Sequence, residues 1–152
     1  MSRAALFVVI QFVFFGIFAV LLIAFPVGGG LVALGFLIVV AAFAVIALGI
    51  LEHVRRNSAL PNVTPTPNQT VELVDTGVYR WIRHPIYTGV IFGTFGVGLA
   101  HGHIVPLLMT VVFIVFFGLK ARFEEAMLRG VYPQYAEYMT RTGRFVPGIN
   151  FI

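Results

Sequence analysis

The sequence contains no cysteine in its 152 residues. Disulfides, thiol nucleophiles and thiolate zinc sites are therefore excluded, and no cysteine pattern marks a redox compartment. Charge is scarce too. Only 11% of residues are Asp, Glu, Lys or Arg, against about 25% in an ordinary soluble domain. What fills the chain instead is apolar: 59% hydrophobic residues and a mean hydropathy of +0.98. A soluble fold of this size could not hide so much apolar surface, so lipid must act as part of the solvent. The same figures exclude disorder, a coiled coil and a secreted disulfide scaffold. The length suits one unit, with residues 1–152 a single membrane domain.

Four apolar runs organise that unit. Ala4–Phe25 is interrupted only by Gln11 and Gly16, and Leu31–Leu51 carries no charge. As helices they would be about 33 and 32 Å long, enough for a hydrocarbon core of about 30 Å. Pro26, Val27 and Gly28–Gly30 form a tight turn between them, which makes residues 1–56 an N-terminal helical hairpin. Ile86–Ala100 and Ile104–Leu119 are shorter, about 22–24 Å, and flank His101-Gly102-His103. They read as a second, thinner hairpin. The expected fold class is all-α: a polytopic membrane protein with four transmembrane helices in two hairpins, plus short cytosolic interfacial helices. The apolar core of the first run exceeds that of a signal peptide, and no small-x-small site precedes the glycines. It is expected to stay in the chain.

The charges then give orientation. The net charge of +4 and a pI near 10 raise the question of nucleic acid. Yet with four spans all ten basic residues (Arg3, Arg55, Arg56, Arg80, Arg83, Lys120, Arg122, Arg129, Arg141 and Arg144) fall on the side of the N-terminus. The positive-inside rule puts both termini in the cytoplasm, as in a multi-pass protein of the cell inner membrane. There is no long basic stripe, and no nucleic acid is expected. His101 and His103 lie on the opposite side with no third ligand near in sequence. They read as turn residues, and no metal is expected.

The polar residues form two blocks on the cytosolic side, Glu52–Pro85 and Lys120–Ile152. In the first, Asn57–Thr70 is rich in Pro, Asn and Thr and reads as a loop. Val71–Val74 is a short apolar patch, and Asp75-Thr76-Gly77 reads as a turn. Pro85 forces His84 out of helical geometry and suits a first helical position, so the third span starts here with His84 near its N-cap. Free amides at that start attract anions, and Arg83 adds charge. Gly89, Gly93 and Gly96 permit close approach of another helix. Tyr79, Trp81 and Tyr87 also suit a plain interfacial aromatic belt.

In the second block a helix continues out of the fourth span and stops at Gly130. A further short helix runs from Pro133 through Thr142, with Tyr132, Tyr135 and Tyr138 on an interfacial face. Glu125 lies four residues before Arg129, the favoured order for a helical ion pair. Glu124 has no such explanation and lies within about a turn of the membrane edge, where a carboxylate is expected to have a specific partner. It is the glutamate assigned to function.

Together the blocks carry an ordered set. Gly77, Tyr79, Arg83-His84-Pro85, Tyr87 and Gly89 open the second hairpin. Glu124-Glu125 with Leu128 close it, and Tyr135 with Tyr138 and Arg144 with Pro147 follow. This set resembles the isoprenylcysteine carboxyl methyltransferase family and its phospholipid methyltransferase relatives. The likeness extends over about residues 71–147, which would form a methyltransferase-like, cofactor-binding half. It implies an integral membrane enzyme that uses S-adenosylmethionine. Carried over by position, Leu73, Val74, Tyr79, His84, Pro85, Ile86, Tyr87 and Glu124 would bind the cofactor. Four residues before Glu124, where protein-methylating members place an arginine against the substrate, this chain has Lys120, with Arg122 nearby. These two would be the catalytic cations.

The acceptor implied is a carboxylate, isoprenylcysteine-like, or an amine of an isoprenoid or lipid. A carboxylate acceptor is already ionised and needs no general base. An amine acceptor must shed a proton, which Glu124 or Glu125 could accept. The alternative is a non-enzymatic small membrane protein, a transporter subunit or scaffold. Against it, no span carries a charge inside its apolar run, as an ion pathway would. The oligomeric state is not legible.

Overall fold

A computed structural model describes residues 2–62 and 72–149. Among the described residues five helices form: α1 (Arg3–Ala24), α2 (Val32–Asn57), α3 (Pro85–His101), α4 (Ile104–Val131) and α5 (Tyr135–Arg141), with a 3₁₀ turn at Gly77–Arg80. The described residues hold no strand, only isolated bridges between Ile82 and Gly143 and between Val146 and Ile149. The all-α expectation therefore holds. Three helices, α1, α2 and α4, are long and apolar enough to cross a membrane. At 17 residues α3 is shorter than these.

Two boundaries differ from the sequence reading. The second helix does not stop at Leu51 but runs a turn and a half further, through Glu52, Arg55 and Arg56 to Asn57. Hydropathy marks where lipid ends, whereas a helix continues while its residues favour it. The last helix starts at Tyr135 rather than Pro133, after a turn at Pro133-Gln134. Of the loop expected over residues 57–70 and the patch at 71–74, residues 63–71 lie outside the described residues.

Neighbouring helices run antiparallel. Along α2 and α3 the backbones meet through glycine. A side chain at Gly35 would run into the Gly96 carbonyl, and one at Gly89 into Ile46 and the Ala42 carbonyl. At one end Gly49 faces the Pro85 ring. At the other, the Gly28 amide donates to the His101 carbonyl at 2.9 Å. Thus α3 runs beside α2 from Gly49 back to the turn that precedes α2. Its partner α4 turns back beside it, with Gly98 against Leu107 and Tyr87 against Phe117.

The other seam is aromatic. Phe7, Phe14, Phe15 and Phe18 of α1 meet Phe113, Phe116 and Phe123 of α4 with ring centroids 5.2–6.4 Å apart. Phe113, Phe116 and Phe117 are buried there with Met109 and Ala121. The outer faces of α1 and α2 stay apolar and exposed, as at Phe12, Val20, Phe36 and Phe43. Such large exposed apolar surface fits lipid contact. The up-and-down order puts the starts of α1 and α3 and the ends of α2 and α4 at one end of the bundle. All ten basic residues belong to that end.

At the turn end, His101 and His103 serve the fold. His103 Nδ1 accepts from the Val105 amide at 3.2 Å and caps α4. His101 Nε2 lies 3.1 Å from the Leu22 carbonyl oxygen. Among the described residues no group of three or more His, Cys, Asp or Glu side chains could hold a metal ion.

Candidate functional site

The site is built where the start of α3, the last turns of α4 and the chain after α5 converge. His84 is the N-cap residue of α3 and Pro85 its first helical residue. Proline disfavours helical backbone before it, and His84 is non-helical at φ −124°, ψ 64°, so the chain enters the helix at a corner. The segment 81–84 lies against residues 143–145, which follow α5. The Arg83 amide donates to the Gly143 carbonyl at 2.9 Å, and the Gly143 amide to the Trp81 carbonyl at 3.0 Å. The His84 amide donates to the Arg144 carbonyl at 3.2 Å, and the Thr88 hydroxyl to the Phe145 carbonyl at 2.9 Å. A side chain at Gly143 would overlap the Val146 carbonyl, so only glycine fits under this strap.

Under the strap sits a buried charge knot. Glu125 Oε1 accepts from Arg83 Nε at 2.9 Å, and Oε2 from Arg144 Nη2 at 2.7 Å. His84 Nε2 lies 3.3 Å from the same carboxylate. Arg83 Nη1 also donates to the Thr142 carbonyl and, at 3.3 Å, to that of Met139. The sequence reading paired Glu125 with Arg129, but Arg129 is exposed and the partners come from elsewhere in the chain. It also gave Arg83 to an anion at the start of α3. Instead Glu125 takes that charge. Arg144, read only as part of a terminal motif, is the knot's third charged member.

Glu124 faces the other way. Successive helical residues point about 100° apart, so Glu124 meets a cavity. Its Oε2 accepts from the Tyr87 hydroxyl at 2.9 Å and lies 3.6 Å from His84 Nδ1. His84 thus stands between the two carboxylates, its ring stacked on Tyr87 at 5.2 Å with 2° between planes. A neutral imidazole with its proton on Nε2 serves Glu125 alone, while an imidazolium faces a carboxylate from each nitrogen.

The cavity has a volume of about 270 Å³. Leu73, Val74, Tyr79, His84, Pro85, Ile86, Tyr87 and Glu124 all line it. Lys120 and Arg122 do not: Lys120 is buried behind the Tyr87 ring, and Arg122 is exposed on α4. The sequence reading missed other walls. His53 of α2 contributes one, and Tyr132, Tyr135 and Tyr138 contribute more. All five tyrosines of the chain therefore line this one cavity. Their clustering late in the chain was visible, but it suited a membrane interface equally well. Tyr138 donates to the Tyr79 carbonyl at 2.7 Å, which ties α5 to the 3₁₀ turn.

Burial, then the charges of Glu124 and Glu52, push the Tyr79 phenol well above its ordinary range. Burial also raises Tyr132, Tyr135 and Tyr138. These four walls are neutral hydroxyls with π faces. Such faces, beside the Glu124 carboxylate, favour a cation.

The family profile for phospholipid methyltransferase matches residues 18–135. The chain belongs to the phospholipid methyltransferase family. That match spans the last third of α1 and all of α2, α3 and α4. A stretch of 79 residues is 30% identical to the cobalt-zinc-cadmium resistance protein CzcN of Cupriavidus metallidurans, covering 51% of this chain and 37% of that one. A stretch of 83 residues is 28% identical to the nickel-cobalt-cadmium resistance protein NccN of Alcaligenes xylosoxydans xylosoxydans, covering 54% and 39%. The matched stretches span less than two-fifths of either relative. Membership makes the tyrosine-lined cavity of this phospholipid methyltransferase family member its candidate functional site.

Proposed function

We propose that this protein is an S-adenosylmethionine-dependent methyltransferase whose cofactor binds in the tyrosine-lined cavity at the membrane interface. The observation that carries the reading is that all five tyrosines converge with Glu124 and His84 on one cavity. S-adenosylmethionine supplies a methyl group on a cationic sulfur. The residues present fit it: aromatic faces attract a sulfonium, and Glu124 can accept from a hydroxyl or ammonium donor. Leu73, Val74 and Ile86 give apolar wall, and Tyr79, His84, Pro85 and Tyr87 complete the set. Residues 71–147 act as the cofactor half, and the hairpin of residues 1–56 supports it.

The acceptor is a carboxylate or amine on an isoprenoid or lipid. With a carboxylate the walls need only orient it and exclude water, because opposite charges neutralise as they approach and a dry site favours that. With an amine, Glu124 or His84 takes the proton. Lys120 and Arg122 lie off the cavity wall, Lys120 behind the Tyr87 ring. All four of α1–α4 cross the bilayer, α3 included, since it packs beside α2 from Gly49 back to the turn before that helix. The basic end, with both termini, faces the cytoplasm.

Transfer of radiolabelled methyl from S-adenosylmethionine into native membrane extract tests the reading. Label is expected in phospholipid, in a small isoprenoid or in protein, and which one identifies the acceptor. Absence of label from all three, with a folded protein, would reject a methyltransferase.

A further inference from the structure

Gln11 is the one strongly polar side chain deep in α1, a helix that otherwise meets α4 through phenylalanines. Its Oε1 accepts from Lys120 Nζ at 2.6 Å. Lys120 is the sole lysine of the chain and is only 1% exposed. Its ammonium lies 5.1 Å from the centroid of the Tyr87 ring and 5.9 Å from that of Phe117. Tyr87 in turn donates to Glu124 at 2.9 Å. A path therefore runs from α1, which lines no part of the cavity, through Lys120 and the Tyr87 ring to the carboxylate on the cavity wall.

Two physical facts give that path a purpose. A buried ammonium must be matched by acceptors. Glu124 lies one helical turn beyond Lys120 on the same face of α4, the spacing at which lysine and glutamate side chains meet. If the ammonium closed on Glu124, it would compete with Tyr87 and with any cationic ligand for the same oxygens. We infer that Gln11 is a positioning residue: it holds the Lys120 ammonium beneath the Tyr87 ring and leaves the Glu124 carboxylate to Tyr87 and the ligand. The inference rests on the cofactor reading above only for what the ligand is. Gln11 also lies outside residues 18–135, the part matched by the family profile.

The test uses the whole protein in detergent micelles, with and without S-adenosylhomocysteine. Because there is one lysine, 15N labelling at Nζ gives one side-chain ammonium signal to follow without ligand. Gln11→Leu should move or broaden that signal. Gln11→Glu restores an acceptor and should restore a sharp signal. In the ligand arm, Gln11→Leu should weaken S-adenosylhomocysteine about tenfold, the scale of one hydrogen bond to a charged group, and Gln11→Glu should recover most of it. In a Lys120→Met background, Gln11→Leu should have no further effect. An unmoved ammonium signal in Gln11→Leu would overturn the inference, as would additive effects of the two substitutions. If the wild type binds no S-adenosylhomocysteine, the cofactor reading fails. The ligand-free ammonium signal then decides the role of Gln11 by itself.

Discussion

Glu124 and Glu125 are joined by one peptide bond and serve two different regions. Glu125 lies buried in the charge knot, matched by Arg83, Arg144 and His84. Glu124 lies on the cavity wall with one hydroxyl donor and open space beyond. The knot spends its carboxylate on the fold, whereas the cavity leaves one for a ligand. A carboxylate's role is therefore set by what surrounds it and not by its place in a motif. His84 touches both regions, so the knot fixes the ring on which Tyr87 stacks.

Substitutions should separate the two regions. The largest effect is expected from Glu125→Ala. It leaves two buried guanidinium groups without their carboxylate, and breaking a buried ion pair costs about 3–5 kcal/mol. Thermal unfolding in detergent should show a large drop in midpoint or no folded protein. A small drop would mean that the knot is not what fastens the strap. Next is Glu124→Gln, which should keep the midpoint within a degree or two. It should weaken S-adenosylhomocysteine about tenfold, as loss of one charged hydrogen bond would. If it unfolds the protein instead, the contrast between the regions collapses.

Tyr138→Phe sharpens the comparison, because Tyr138 bounds the cavity yet spends its hydroxyl on the Tyr79 carbonyl. It should cost about 1 kcal/mol of stability and change affinity less than Glu124→Gln does. The smallest expected signal is a spectrophotometric titration. Burial raises the phenols of Tyr79, Tyr132, Tyr135 and Tyr138 above the ordinary 10.0. Their neutral form therefore persists to higher pH, and these four should give little tyrosinate absorbance at that pH. Full ionisation there would show an open, wetted cavity.

Much of the fold was legible because lipid imposes length. The apolar runs gave α1 and α3 to within a few residues, and α2 and α4 apart from their charged ends, of which the end of α4 was legible from the polar block that follows. The glycines of α3 announced close helix contact, and Gly89 and Gly96 do meet α2. The phenylalanine seam between α1 and α4 was not legible, since apolar residues surround both helices and periodicity does not say which face meets protein. In the site, Pro85 fixed the corner at His84, and the eight residues carried over from the family lie on one cavity. The knot could not be read. Glu125 had a sufficient local partner in Arg129, while its actual partners are 42 and 19 residues away. His53 gave no signal, because nothing in the sequence showed that α2 continues past the membrane to reach the cavity.

The central claim is that the tyrosine-lined cavity holds the methyl-donor cofactor. Calorimetric titration of S-adenosylhomocysteine into the protein in lipid nanodiscs tests it most directly, with Glu124→Gln alongside. Saturable binding by the wild type, weakened about tenfold in the variant, is the result the account predicts. A folded wild type that binds nothing, or a variant that binds equally well, would contradict it.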